Sequence, residues 1–257
     1  MKKTKFECVR DSLKIRGLVY RSNKTKSPAI IICHEFMTNM TTVKRYAKLC
    51  ANLGYAAFCF DFCGGSFIGK SDGKTTNMSI LTEKEDLKAV ISYVAQLPYV
   101  DEKNIVIMGC GQGGLVASLV ATELDDAINN LILYYPSFNI SESIKRGKFL
   151  HKKIDNSTIP QIVRIGLVKL GKCYFTDALN LNPYSNLSLY KGKVLLVHGN
   201  LDTVVPFSYS YNAQQVLSNT AEISLSIIAG GRHFFLFNHN KLSKNALSDY
   251  IKDSIYT

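Results

Sequence analysis

The sequence predicts an α/β protein whose mainly parallel sheet is covered by helices on both faces. Continuous apolar runs at 29–33, 105–108 and 194–198 are typical of strands that are buried on both faces. Segments with helical periodicity separate these runs along the chain. A glycine-rich stretch at 109–114 joins a β-branched run to an apolar run of helical length. This alternation of strands and helices predicts the parallel arrangement.

The N-terminal half opens with a predicted antiparallel hairpin, in which residues 6–9 pair with residues 13–20. A helix at 43–53 then ends at Gly54, a residue suited to the position after a helix. The next strand covers 55–60. Thr82 begins a capping-box pattern before a helix that reaches residue 96. The strand at 105–108 leads directly into the glycine-rich stretch.

The C-terminal half contains three further predicted strands, at 131–135, 194–198 and 223–228, and a terminal helix at 240–255. Residues 137–190 interrupt the alternation of strands and helices, because this segment is too long for a simple crossover. An insertion of this length at the carboxyl edge of a sheet usually covers the site. We therefore predict one domain over 1–257 with a lid at 137–190. An ordinary crossover with an extra helix is the alternative.

The amino-acid composition limits the classes of protein to which the chain can belong. The chain of 257 residues is 46% hydrophobic and 20% charged, values that are ordinary for a globular protein. Its net charge of +11 comes from scattered lysines and arginines without interleaved aromatics, so solvated side chains explain it better than nucleic-acid binding does. A weak affinity for anionic partners or substrates stays open.

Two further observations bear on location. No apolar run reaches the length of a membrane span, and the first residues lack the apolar region of a signal peptide. The seven cysteines are scattered without a paired spacing, which indicates reduced thiols rather than a metal site. We expect a cytoplasmic protein with no membrane partner, no metal and no cofactor.

The glycine-rich stretch fits the frame of a nucleophile elbow, Gly-x-Ser-x-Gly. The frame here is Gly109-Cys110-Gly111-Gln112-Gly113, with glycine at the place of the serine. Strand, sharp turn and helix are the context that this motif requires. The same letters also fit Gly-x-Gly-x-x-Gly, a phosphate-loop pattern, although that pattern alone is weak and lies mid-chain here.

Two residues downstream complete the order nucleophile, acid, base. Asp202 and His233 each follow a predicted strand, at the edge of the sheet where Gly111 also lies. In this order Asp202 orients the imidazole of His233, and His233 acts as the general base.

These motifs resemble those of the α/β-hydrolase superfamily over nearly the whole chain. The resemblance is greatest to bacterial esterases of the cinnamoyl or feruloyl type and to serine-aminopeptidase-like hydrolases. The matching segments are His34-Glu35-Phe36, 61–66, 69–73, 82–87, 108–114, 198–206 and 230–235. The resemblance implies an α/β-hydrolase fold and an oxyanion hole formed by the backbone N–H groups of Phe36 and Gln112. It also makes His34 and Cys110 candidates for the pocket.

Three positions depart from the family pattern. Gly111 replaces the nucleophile, Glu35 replaces a glycine beside the oxyanion hole, and Phe234 replaces a small residue next to His233. Glu35 and Phe234 are therefore also pocket candidates, and Glu35 is expected to place a charge where an oxyanion would form.

Two functional hypotheses follow from these departures. In the first, the chain is an inactive or strongly impaired member that keeps a pocket for a small ester, acyl or aromatic ligand. In the second, it is an active or residual ester hydrolase, either because His233 and Asp202 activate water directly or because glycine replaces the serine of an active esterase by engineering. Homodimer formation stays open.

Overall fold

The computed structural model describes residues 1–255 and contains twelve strands and eight helices in that range. In chain order they are β1 (Lys2–Arg10), β2 (Leu13–Arg21), β3 (Ser27–Cys33), α1 (Met40–Asn52), β4 (Ala56–Phe60), α2 (Ile80–Ala95), β5 (Val100–Cys110), α3 (Gln112–Glu123), β6 (Asn130–Tyr134), α4 (Ile140–Lys145), β7 (Lys148–Phe149), β8 (Lys152–Lys153), β9 (Ile162–Ile165), β10 (Val168–Gly171), α5 (Lys172–Leu179), α6 (Pro183–Leu187), β11 (Lys193–Gly199), α7 (Ser208–Leu217), β12 (Ile223–Ile228) and α8 (Phe237–Ile255).

Eight of these strands form the central sheet, in the order β1-β2-β4-β3-β5-β6-β11-β12. The pairings of β1 with β2 and of β2 with β4 are antiparallel. The pairings from β4 across to β12 are parallel. The carboxyl ends of β3, β5, β6, β11 and β12 therefore meet at one edge of the sheet, where ligand sites of such sheets lie.

Both faces of the sheet are covered, which explains the continuous apolar runs. In β3, Ile30 and Ile32 pack toward α1 and α8, whereas Ile31 packs toward α2 and α3. All three isoleucines are fully buried. The two-sided burial removes the alternation of polar and apolar residues that a sheet with one wet face would show.

The insertion at 137–190 contains three short helices and two β-hairpins. The hairpins are β7–β8 and β9–β10, and each forms a small sheet of its own. The sequence-based alternative of a crossover with one extra helix is therefore too simple. Within residues 1–255, no helix is both long and apolar enough to cross a membrane.

Candidate active site

Gly111 occupies the sharp turn between β5 and α3. Its backbone has φ 53° and ψ −121°, a conformation that side chains with a Cβ seldom adopt. The turn is fixed by the carbonyl of Gly111, which accepts from the N–H groups of Ser137 and Gly114 at 2.9 and 3.0 Å. A Cβ on Gly113 would meet the carbonyl of His34, so the helix can approach the strand closely only with glycine there.

Two backbone amides beside this turn belong to pocket residues. Phe36 follows β3 and Gln112 begins α3, and both residues line the pocket. Among the described residues, neither amide has a hydrogen-bond acceptor. The first amides of a helix lack an intrahelical acceptor and carry a partial positive charge. The two N–H groups are therefore free to stabilise an anionic oxygen.

His233 and Asp202 are joined by a short hydrogen bond. The His233 Nδ1 lies 2.7 Å from an Asp202 carboxylate oxygen, Oδ2, and the other oxygen accepts from the N–H groups of Val204 and Val205 at 2.9 Å each. Burial alone would raise the pKa of Asp202, but hydrogen bonds from His198 and His233 outweigh it, and the pKa lies well below its usual range. Asp202 is thus an ionised carboxylate that fixes the orientation of His233.

The side chain of Glu35 is buried beside Gly111, at 3% exposure. Its carboxylate accepts hydrogen bonds from the hydroxyls of Tyr135 at 2.8 Å, Thr42 at 2.7 Å and Thr38 at 3.1 Å. The sequence predicts a charge set against the oxyanion hole. The structure instead distributes this charge over three hydroxyl donors, which lessens its effect on the hole.

Gln112 also connects the elbow helix to the insertion through its side chain. Its amide donates to Glu83 at 2.7 Å, and its carbonyl oxygen accepts from the Tyr174 hydroxyl at 2.6 Å. Burial raises the pKa of Glu83 to about 8. The backbone amide of Gln112 therefore belongs to a residue whose side chain is held at both ends.

The pocket over Gly111 has a volume of about 710 Å³. Its lining residues come from the elbow, the strand ends and the insertion. They are Glu35, Phe36, Gly111, Gln112, Ser137, Asn139, Ile140, Ser143, Arg146, Lys148, Phe149, Leu150, His151, Tyr174, Thr203, Val204, Val205, Pro206, Tyr209, His233 and Phe234. The sequence pattern does not single out Ser137, which lies three residues after the end of β6 and whose hydroxyl lies 3.6 Å from where a Cβ on Gly111 would be.

Two predicted pocket residues do not line it. His34 is 1% exposed, and its ring lies between the Glu35 carbonyl at 2.8 Å and the Phe62 N–H at 3.2 Å. Burial lowers the pKa of His34, so its role is to hold two strand ends as a neutral ring. Cys110 is fully buried in the core, and burial raises the pKa of its thiol far above the usual range. Cys110 therefore supplies no thiolate in place of the serine.

Phe234 lies against His233 at the rim of the pocket. The two ring centroids are 4.5 Å apart, and the Tyr135 ring lies 4.7 Å from His233. Phe234 adopts φ 69°, a backbone conformation that favours glycine. The two aromatic rings thus restrict the imidazole at a site where the resembling esterases have a small residue.

The site can bind a carbonyl compound, orient it against two free amides, and present a fixed imidazole. It has no hydroxyl on the elbow itself, so it lacks the atom that forms an acyl-enzyme in a serine hydrolase. Among residues 1–255, no group of three or more His, Cys, Asp or Glu side chains is arranged to hold a metal ion.

Comparisons with known proteins agree with this architecture. The model of the dienelactone hydrolase family matches residues 15–154, more than half of the chain. Mitochondrial palmitoyl-protein thioesterase ABHD10 of Bos taurus is 30% identical over 224 residues, which cover 81% of this chain and 68% of that protein.

A solved structure of Est1E from Butyrivibrio proteoclasticus, with ferulic acid bound, superposes with a TM-score of 0.91 at 26% identity. The match covers 98% of this chain and all of Est1E. The predicted α/β-hydrolase fold is confirmed.

Proposed function

The chain belongs to the dienelactone hydrolase family, and we propose that its pocket binds a small carboxylic ester or acyl compound without forming an acyl-enzyme. The observation that carries this proposal is Gly111 at the elbow, with the rest of the site kept around it. An acyl-enzyme needs a nucleophilic side chain on that turn. The neighbouring thiol of Cys110 is buried and protonated, so it does not replace one.

The walls of the pocket favour an aromatic or acyl ligand. Phe36 packs against Phe149 and Tyr174 with ring centroids 5.4 and 5.7 Å apart, which gives one aromatic wall. Such a wall binds a planar ring by edge and face contacts. The rim carries Lys148 and His151 from the insertion. Est1E was solved with ferulic acid bound, so esters of ferulic acid and of related aromatic acids are the first compounds to test.

We further propose that residues 137–190 act as a cap within one domain over 1–257. About half of the pocket lining comes from this segment, including the apolar side chains of Ile140, Phe149 and Leu150. A cap of this kind excludes water and selects the ligand. The seven free thiols, six of them buried, are consistent with a reducing compartment, so we place the protein in the cytoplasm.

Slow direct hydrolysis is the second candidate, and the intact pair of His233 and Asp202 favours it. In this reaction His233 takes a proton from water as the water oxygen attacks the ester carbonyl. The amides of Phe36 and Gln112 stabilise the oxyanion. Collapse of the tetrahedral intermediate expels the alkoxide, which takes the proton back from His233.

Steady-state turnover of p-nitrophenyl acetate and methyl ferulate separates the two candidates. Our proposal predicts that the parent protein gives no more turnover than His233→Ala, while both retain methyl ferulate binding. Ser137→Ala is measured in parallel, because Ser137 carries the hydroxyl nearest to the elbow. Turnover that is lost in His233→Ala would establish direct hydrolysis, and turnover that is lost in Ser137→Ala would contradict both candidates.

A further inference from the structure

The two hairpins of the insertion present apolar side chains to solvent at their tips. Leu167 lies in the turn between β9 and β10 and is 94% exposed. Leu150 lies in the turn between β7 and β8 and is 44% exposed, and Ile162 at the start of β9 is 51% exposed. Leu150 and Leu167 lie at the two tips, and Ile162 lies at the opposite end of its hairpin. Exposure of large aliphatic side chains to water is unfavourable, so three on one insertion indicate a contact that the isolated chain does not make.

Cations without ion pairs flank these tips. Lys148, Lys152 and Lys153 belong to the first hairpin, and Arg164 and Lys169 to the second. All five are exposed, and none forms an ion pair with any described residue. Residues 137–190 contain eight lysines and arginines but three acidic residues, so this segment carries nearly half of the net charge of +11.

The two hairpins enclose a concave groove of about 630 Å³. Lys152 and Lys153 form one side, and Arg164 and Lys169 form the other. One carboxylate, Asp155, also lines the groove, where it accepts from the hydroxyls of Ser157 and Thr158 at 2.6 and 2.7 Å. Four of the ten residues that line the groove are thus unpaired cations, and an exposed leucine lies in the turn of each hairpin.

We propose that this basic hairpin surface, formed by Lys148, Lys152, Lys153, Arg164 and Lys169 with Leu150, Ile162 and Leu167, docks on a membrane of anionic phospholipids. Cations beside exposed aliphatic side chains match the headgroup and acyl boundary of such a membrane. A single-stranded nucleic acid needs exposed aromatic rings for its bases, and the surface has none among these residues. Docking here is peripheral and requires no membrane-spanning helix.

The surface adjoins the pocket over Gly111. Lys148, Leu150 and His151 line the rim of that pocket and belong to the first hairpin or its turn. A chain docked by its hairpins therefore holds the pocket mouth close to the lipid surface, where acyl compounds are concentrated. The docking itself does not depend on the proposed function, because no residue of the elbow takes part.

Co-sedimentation with vesicles tests the proposal. Vesicles of phosphatidylcholine alone are compared with vesicles that also contain phosphatidylglycerol, at equal total lipid. We expect the parent chain to sediment with the anionic vesicles only, and to dissociate as salt is raised. Each cation near an anionic bilayer adds about a fivefold factor to binding. Replacing Lys152, Lys153, Arg164 and Lys169 by glutamine should therefore weaken binding by at least about tenfold.

Matched controls make the same kinds of substitution outside the hairpins, one for the charges and one for the apolar side chains. Glutamine at Lys44, Lys48, Lys103 and Lys191 removes four exposed charges outside the insertion and should leave sedimentation unchanged. Leu167→Ser should weaken binding severalfold, whereas Leu242→Ser on α8 should not. Equal losses in both four-residue variants, or equal binding to neutral vesicles, would overturn the proposal.

Binding of duplex DNA without vesicle binding would assign the surface to nucleic acid instead and would equally overturn the proposal. The vesicle assay contains no methyl ferulate and the ferulate assay contains no vesicles. Failure of vesicle binding would therefore leave the pocket proposal standing, and failure of methyl ferulate binding would leave this one standing.

Discussion

Gly111→Ser restores a hydroxyl to the elbow and is the sharpest perturbation that the structure allows. A Cβ at this position would lie 3.3 Å from the Glu35 Cγ and 3.6 Å from the Ser137 Oγ, so Glu35 must move by a few tenths of an ångström. The residue must also keep φ near 53°, which costs a non-glycine residue about 1–3 kcal/mol. For a chain of this size each kcal/mol corresponds to roughly 2–4 °C, so Tm should fall by roughly 2–12 °C.

Gly111→Ser should raise activity although it lowers stability. With a serine on the turn, His233 has a hydroxyl proton to take, and acyl transfer becomes available. We expect kcat/KM for p-nitrophenyl acetate to rise by at least about 10²-fold over the parent. Gly111→Ala is the matched control, because it has the same Cβ and the same backbone strain without the hydroxyl. Equal activity in the serine and alanine variants would refute the assignment of the elbow.

Adding Glu35→Gly to Gly111→Ser tests the second departure from the family pattern. The double variant should exceed Gly111→Ser by about tenfold. This gain is smaller than the roughly 10²–10³ in rate that a whole oxyanion-hole interaction is worth, because three hydroxyl donors lessen the effect of the Glu35 carboxylate. The same change leaves the buried hydroxyl of Tyr135 without its acceptor and should lower stability by about 1–3 kcal/mol. Equal kcat/KM in the single and double variants would show that Glu35 has no role in the loss of activity.

Three further predictions concern the buried polar groups of the site. The raised pKa of Glu83, about 8, means that the folded state keeps a proton that the unfolded chain releases near about pH 4. Stability should therefore fall from about pH 4 to about pH 8, and Glu83→Gln should flatten that dependence in urea titrations; an unchanged slope would contradict it. The pKa of Asp202 is lowered, so its ionised carboxylate stabilises the folded state above about pH 4. This stabilisation is lost as the pH falls below about 4, and Asp202→Asn should remove that loss of stability in acid. Tyr174→Phe leaves the Gln112 carbonyl oxygen without a donor and should cost about 1–3 kcal/mol in urea unfolding, whereas Tyr211→Phe at an exposed position should cost nothing measurable.

Much of the fold could be predicted because its strands are buried on both faces. The runs at 29–33, 105–108 and 194–198 lie within β3, β5 and β11, since only a covered strand tolerates such a sequence. The start of helix α2 was predicted less well. The capping box of α2 is formed by Ser79 and Thr82, so the helix begins at Ile80 rather than after Thr82. Element ends depend on one or two hydrogen bonds that the apolar pattern does not record.

The internal structure of the insertion could not be predicted from the sequence. Its apolar positions at Ile162, Val163 and Ile165 lie in a two-stranded hairpin, where Val163 and Ile165 are buried and Ile162 is exposed. Such short strands carry too few residues for a period of two to be distinguished from a helical period. The helix α7 was missed for a related reason, because few apolar residues mark its buried face.

The environment of the site residues was the least predictable part. Sequence order indicates that Asp202, His233 and Gly111 share one edge of the sheet, but it does not show which side chains face the pocket. His34 and Cys110 lie beside pocket residues in the chain and nevertheless point into the interior. One partner of Glu35, Thr42 on α1, is close in sequence, but Tyr135 after the end of β6 lies 100 residues away, and only the folded structure brings it to Glu35.

Isothermal titration of the parent chain with methyl ferulate, followed by chromatography of the recovered ligand, tests the central claim most directly. We predict saturable binding at one site per chain, with the ester recovered intact and with binding weakened by Phe149→Ala, which removes part of the aromatic wall. Leu242→Ala on the surface of α8 is the control and should bind as the parent does. Absence of binding, or recovery of ferulic acid in amounts that depend on His233, would contradict the claim that the pocket binds an ester without turning it over.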